Sequence, residues 1–392
     1  MTNRHEAWDL KQMQSLPLEA KIRMTKARIK VWYESWSRFE IYNKKTGKTR
    51  FVTMDTRDQF AEPTLKDDEF IKSVRDGQVY VSLSGGKDST VLKHIVDSMY
   101  DDAPAVFVNT GLEYPEIQKF VKEIKEGKYP CFNSNVEILR PEMRFDEVIK
   151  KYGYPIISKD IASCVYGARR GSRTRLERLN GTLTKKDGSP SMFNCSKWEF
   201  VMDSDFEVGS DCCKVMKKKP TAKYEKETGR KPIIGMLAEE SIKRRDAWMK
   251  TGCNAFNTTR PQSNPIAFWT EQDILHYIKK YNVPYCSVYG EIRVKNPEGT
   301  EKEQINLIDY LGCYEPEDTL ETTGCDRTGC IFCGFGCHLD QNPNRFQRLK
   351  ETHPRQYEYC INGGEMVDGK WQPSKEGLGL GHVLDYIGVK YK

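Results

Sequence analysis

The feature that most constrains the fold is a three-part unit near residue 80. VYVSL, Val79 to Leu83, is a short apolar run, SGGKDS, Ser84 to Ser89, is a glycine turn, and STVLKHIVDSMY places Val91, Leu92, Ile95, Val96 and Met99 on one helical face. An unbroken apolar run of this length reads as a strand buried on both sides, and the 3.6-residue period after it as a helix. The pattern recurs twice. Ala105 to Val108 precedes a stripe of Ile117, Phe120, Val121 and Ile124, and Val136 to Leu139 precedes Phe145 to Tyr152. Strands alternating with helices predict an α/β fold, a doubly wound parallel sheet with helices on both faces.

The alternation stops over residues 160–230 and resumes with IIGML, Ile233 to Leu237. Thr270 to Tyr281 opens with Thr270 three residues before Asp273, a good helix cap. Residues 8–42 have apolar and aromatic residues near helical spacing and predict a helical extension packed on the core or on a partner. The expected organisation is therefore a helical basic extension over 1–60, an α/β domain over 61–311 with an inserted basic segment at 158–231, and a cysteine-rich region and tail over 312–392.

Net charge is +6, from 62 Lys and Arg against 56 Asp and Glu among 392 residues, too mild to demand a polyanionic partner. Its placement says more. Residues 1–60 carry a net +6 and residues 158–231 a net +7. In the second, Arg169, Arg170, Arg173 and Arg175 and the run Lys217 to Lys219 suit a phosphate-facing surface or, equally, a solvated helix face. No apolar run approaches the roughly 20 residues a membrane helix needs, and MTNRHEAWDL lacks a signal peptide's apolar core, so a soluble, cytoplasmic protein with no membrane partner is expected.

Between a strand and a helix, SGGKDS leaves backbone N–H groups and the positive end of the helix dipole free to hold an anion. Gly85 and Gly86 permit close approach, Lys87 brings a cation, and Ser84 and Ser89 bring hydroxyls. Cys325, Cys330, Cys333 and Cys337 form C-x4-C-x2-C-x3-C, and Cys212 and Cys213 are adjacent. Thiolates this dense in a reducing compartment are good soft-metal ligands. Zinc prefers two C-x2-C knuckles and only Cys330 to Cys333 is one, so an iron–sulfur cluster is favoured. His338 is an added candidate ligand or a loop hydrogen-bonding group. Cys131, Cys164, Cys195, Cys253, Cys286, Cys313 and Cys360 lack ligand spacing and read as buried or idle thiols.

The strand–SGGKDS–helix unit resembles the PP-loop of ATP pyrophosphatases and sulfonucleotide reductases, and the resemblance runs on. GMLAEESIKRR, Gly235 to Arg245, and NPIAFWTEQDILHYIKKYNVPY, Asn264 to Tyr285, look like the segments that follow in the phosphoadenosine phosphosulfate (PAPS) reductase-like family. The resemblance implies an adenine nucleotide, ATP or an activated sulfate (PAPS or APS), with Mg2+. Its binding residues would be Ser82, Ser84, Gly85, Gly86, Lys87, Asp88, Ser89, Asn109, Glu113, Gly235, Glu240, Ser241, and Arg244 or Arg245, with Lys87 and Asp88 catalytic. By analogy with cluster-containing adenylylsulfate reductases it implies a 4Fe-4S cluster on Cys212, Cys213, Cys330 and Cys333; Cys325 or Cys337 in place of one of the pair stays open.

The sulfonucleotide reductases' C-terminal glutamate-cysteine-glycine-x-histidine motif has no counterpart in GLGLGHVLDYIGVKYK. That favours a relative that adenylates a substrate with ATP and transfers sulfur to a nucleic acid, tRNA or DNA, with a sulfur-donor protein as a further partner. Sulfonucleotide reduction and a non-catalytic nucleotide-sensing role are the alternatives.

Overall fold

The computed structural model describes residues 5–55, 62–295 and 318–392. Cys313 and the expected boundaries near residues 60 and 311 lie outside the described residues. The chain forms two compact units that interleave in sequence, residues 1–108, 114–139 and 223–328 in one, and 109–113, 140–222 and 329–392 in the other. This differs from the three consecutive segments expected.

The first unit is built on a six-stranded sheet. Neighbours across it are Val136–Leu139, Ala105–Val108, Val79–Ser82, Lys231–Ile234 and Gln262–Ser263, all parallel, with Asn254–Ala255 antiparallel at the edge. Numbered along the chain, the parallel strands stand in the order 3-2-1-4-5. The order reverses between Val79–Ser82 and Lys231–Ile234, the switch point at whose carboxyl ends open α/β sheets bind ligands. The sheet strands are short and apolar because both faces are covered: Val79, Val81, Ala105 and Ile233 are fully buried, as are Val91, Leu92, Ile95 and Val96 of the helix Lys87–Asp97. The helix Glu271–Tyr281 carries the expected capping box of Thr270 and Asp273.

The N-terminal segment is part of this unit's core. Helices Ala7–Gln14 and Leu18–Glu34 are followed by an antiparallel sheet of Thr49–Asp55, Trp36–Asn43 and Glu69–Asp76, in that order. The helical reading of residues 8–42 therefore holds only as far as Glu34. From Trp36 the buried positions alternate, with Phe39 and Ile41 inward, a period of two that the aromatic content obscured. Trp32 and Ile29 are fully buried. Lys21 ion-pairs with Asp273 at 2.7 Å, so part of the expected basic surface is structural.

The second unit joins the helices Lys159–Ala168, Arg173–Leu179, Arg345–Thr352, Pro354–Ile361 and Leu380–Tyr386 with a two-residue parallel ladder, Ile156–Ile157 against Gly334–Phe335. Tyr154, Phe206, Cys360 and Leu384 are among its buried side chains. Cys212 and Cys213 begin a helical turn that loosens to π geometry over Lys214–Lys218 before the helix Lys219–Thr228. Such bulges concentrate at functional sites.

Candidate functional site

In the first unit the SGGKDS loop closes on itself at the switch point. Ser84 Oγ lies 2.9 Å from Ser89 Oγ, the Ser84 amide donates to Ser89 Oγ at 3.1 Å, and Ser89 Oγ donates to the Gly86 carbonyl at 2.9 Å. Gly85 has φ +73°, and a side chain there would also strike Ile117. On the neighbouring strand's end, Gly235 lies so close to the loop that a Cβ would meet Ser89 Cα at 2.9 Å. Both glycines are thus required by backbone geometry.

Ser84, Gly86, Lys87, Asp88, Ser89, Gly235, Glu240, Arg244, Tyr289, Arg327 and Thr328 line a polar cleft of about 150 Å³. That is below the few hundred Å³ of a whole-ligand pocket and suits the phosphate end of one. Three cations meet three carboxylates here. Lys87 Nζ lies 2.9 Å from Glu271 and 3.9 Å from Asp88 Oδ1, and donates to the Asp326 carbonyl at 3.0 Å. Glu240 pairs with both Arg244 and Arg327.

Lys87, the cation the loop supplies, is therefore buried and already partnered. Burial works against its charge, but Asp88 and Glu271 hold its pKa above the ordinary value. Burial pushes the Asp88 carboxyl up, with Lys87 opposing, and Asp88 Oδ1 is buried without a hydrogen-bond partner. An orphaned carboxylate oxygen beside three cations fits a magnesium–phosphate group.

Tyr289, Arg327, Thr328 and Glu271 escaped the sequence reading. The Tyr289 hydroxyl accepts from the Lys87 amide at 3.2 Å and lies 2.8 Å from Thr328 Oγ1. Only the basic residue in CDRTGC was a signal for this group. Several expected residues sit elsewhere. Ser241 caps the helix Ile242–Thr251 by accepting from the Arg244 amide, Arg245 is exposed outside the cleft lining, and Ser82 is a half-buried strand residue.

Asn109 and Glu113 belong to the second unit, with the thiols. Asn109 Oδ1 accepts from the Gly111 amide at 3.0 Å. Glu113 binds the Thr110 amide and hydroxyl and lies 3.5 Å from Lys217 Nζ.

The same unit brings Cys212, Cys213, Cys330 and Cys333 within electrostatic reach of one another. Cys212 and Cys213 sulfurs are 4.0 Å apart. A hydrogen bond from Cys212 pulls the Cys213 thiol down to about 5, against burial and with help from Lys159 and Lys217; the Cys212 thiol rises correspondingly. Burial pushes Cys330 up to about 11, opposed by Lys217. Burial disfavours the Lys217 ammonium, yet Cys330 and Glu113 keep its pKa above the ordinary value.

Among the described residues no three His, Cys, Asp or Glu side chains are arranged to hold a metal ion. Cys337 is near Cys333, whereas Cys325 lies in the first unit beside Cys286. His338 Nδ1 has no hydrogen-bond partner, and its ring packs edge-on against Trp198.

The arginine-rich stretch corrects a second expectation. Arg169 donates to the carbonyls of Val201, Met202, Ser204 and Phe206, and Arg175 to that of Ser163 at 2.7 Å. Both tie the unit together. Arg173 is exposed, bound only along its helix to Glu177 at 2.8 Å.

The phosphoadenosine phosphosulfate reductase domain family matches residues 78–164 and 177–334. An uncharacterized protein of Methanocaldococcus jannaschii is 35% identical over 27% of this chain and 23% of its own length. Adenosine 5'-phosphosulfate reductases of Halalkalibacterium halodurans and Staphylococcus haemolyticus are 23% and 24% identical over 56% and 55% of this chain, which spans 71% and 66% of theirs. Among solved structures, a phosphoadenylyl-sulfate reductase of Candida auris aligns over 54% of this chain and 75% of its own with 14% identity and a TM-score of 0.32. A U34-tRNA thiolase of Methanococcus maripaludis, solved with its 4Fe-4S cluster, aligns over 68% and 65% with 15% identity and a TM-score of 0.28.

Proposed function

Because the chain belongs to the phosphoadenosine phosphosulfate reductase domain family, we propose that it is an enzyme that binds an adenine nucleotide through the SGGKDS cleft, holds an iron–sulfur cluster on Cys212, Cys213, Cys330 and Cys333, and transfers sulfur to a nucleic acid in an ATP-dependent reaction. The nucleotide's phosphates would replace carboxylates as partners of Lys87, Arg244 and Arg327, with Asp88 Oδ1 available to magnesium. Backbone N–H groups at the start of the helix Lys87–Asp97 add to the anion site. When bound, a 4Fe-4S cluster supplies sulfur or electron chemistry at the thiols, and Lys217 and Lys159 offset their negative charge.

The observation that carries this reading is the state of the thiols that follow the cluster motif. Cys337 and Cys360 are both buried, Cys360 with no exposed surface, inside the helix Pro354–Ile361. Neither is presented to attack a sulfonucleotide, which supports ATP activation and sulfur transfer over reduction at these two thiols. The second reading, reduction of an activated sulfate, is favoured by the relatives named adenosine 5'-phosphosulfate reductase.

One experiment separates them. Protein purified anaerobically is assayed for iron and acid-labile sulfide, then for pyrophosphate release from ATP with and without tRNA or single-stranded DNA, and for sulfite release from PAPS and APS with a thiol reductant. Nucleic-acid-stimulated pyrophosphate release supports sulfur transfer; sulfite release assigns reduction instead.

A further inference from the structure

The antiparallel sheet of the first unit presents a face with an unusual charge arrangement. Arg38 and Arg75 stand directly opposite each other on adjacent strands, and Thr53 is the partner of Arg38 on the other side. Like charges directly opposite across strands are destabilising. A third guanidinium joins them: Gly229 lies against Thr53, where a Cβ would fall 2.0 Å from its hydroxyl, and brings Arg230 beside Arg38. Burial first, then Arg230 and Arg75, work against the Arg38 charge, and Glu40 is the acid that supports it. Glu40 is itself held by Lys72 at 2.9 Å and Ser73 at 2.7 Å, while Asp55 stands at the far end of the face, opposite Trp36. Arg38 Nε is buried without a hydrogen-bond partner.

The same face carries aromatic rings. Phe51, opposite Glu40, is 53% exposed with the Arg38 guanidinium 4.0 Å from its centroid. Phe70, opposite Tyr42, is 38% exposed. Clustered guanidiniums beside exposed rings on a sheet match single-stranded nucleic acid, whose phosphates neutralise the charge and whose unpaired bases stack on rings and guanidinium planes.

We propose that this sheet face, centred on Arg38, Arg75, Arg230 and Phe51, is a binding surface for single-stranded nucleic acid. The proposal deepens the nucleic-acid-acceptor reading and rests on it. A duplex offers no free base faces to the rings, so single strands should bind tighter than the duplex of the same sequence.

The test titrates the full-length protein with a fluorescein-labelled 20-nucleotide RNA, the same sequence as single-stranded DNA, and the duplex, each at two salt concentrations. The variants are Arg75→Ala, whose side chain is exposed, the double variant Arg38→Ala with Arg75→Ala, Phe51→Ala, and a charge-matched Lys122→Ala with Lys125→Ala on the helix Pro115–Lys125. At least a tenfold weaker affinity is expected in the double arginine variant, and a salt slope shallower by roughly 0.7 per lost phosphate contact for single strands. Arg75→Ala and Phe51→Ala should weaken binding by severalfold, and the lysine control should match the wild type. Wild-type binding that the arginine and Phe51 variants retain, or that the lysine control loses equally, overturns the sheet while leaving the acceptor reading intact. A wild type that binds none of the three probes overturns both.

Discussion

Lys87 and Glu271 form the pair on which the proposed nucleotide site turns, and substituting each should move affinity in opposite directions. In this ligand-free arrangement the Lys87 ammonium is held by Glu271 at 2.9 Å and by the Asp326 carbonyl at 3.0 Å. Glu271 is 48% exposed, so its pairing contributes less than about 1 kcal/mol, and the carbonyl hydrogen bond about 1 kcal/mol. Lys87→Ala should therefore cost about 1–2 kcal/mol of stability and leave the protein folded. A hydrogen bond between a cation and phosphate contributes roughly 1.5–3 kcal/mol, so ATP affinity should fall roughly 10- to 150-fold. Glu271→Gln removes the carboxylate that phosphate must displace, and ATP should bind up to about fivefold tighter, the equivalent of about 1 kcal/mol. Isothermal titration with ATP and magnesium, beside thermal melts of the apo variants, reads both quantities. Unchanged ATP affinity in Lys87→Ala, or weaker binding in Glu271→Gln, refutes the displacement argument.

Cys330→Ser or Cys333→Ser should abolish the broad visible absorbance and acid-labile sulfide of anaerobically purified protein, while Cys131→Ser, at an exposed thiol, should keep both; stoichiometric zinc with negligible iron in the wild type would falsify the cluster. The Asp88 carboxyl is raised above its usual 3.8 by burial, so its contribution to stability is full below about pH 3.8 and is lost as pH rises through the folded value. Asp88→Asn should therefore stabilise the apo protein at neutral pH and flatten the acid side of its melting-temperature profile, yet weaken magnesium-dependent ATP binding. Arg169→Ala removes the donor to the Met202 and Ser204 carbonyls, while Ser204 still donates to those of Val201 and Phe206; at about 1–3 kcal/mol for each carbonyl left unsatisfied, it should lower the melting temperature by several degrees, whereas Arg173→Ala should shift it by less than a degree.

Local pattern made the parallel sheet of the first unit legible. The run Val79 to Ser82, the glycine turn and the stripe of Val91, Leu92, Ile95 and Val96 are contiguous, and a parallel strand buried on both faces leaves that signature in a few residues. The capping box at Thr270 and Asp273 could be read for the same reason. The C-x2-C spacing of Cys330 and Cys333 and the adjacency of Cys212 and Cys213 likewise marked thiols that the chain brings together from more than a hundred positions apart, because soft ligands are rare and their clustering has few other causes.

What the pattern could not decide was the partner of each charge. Lys87 reads as a free cation in SGGKDS, but its ammonium lies against Glu271 and Asp326, residues whose distance in sequence hides the contact. Arg169 and Arg173, four positions apart in one basic run, part company because the first meets the carbonyls of a turn at 201–206 and the second meets water. Tyr289 and Arg327 enter the cleft from loops with no periodicity to announce them. Hydrophobic period and motif spacing are properties of short stretches and survive in the one-dimensional record; ion pairing and desolvation depend on which distant segments pack together, and for this protein only the tertiary structure determines that.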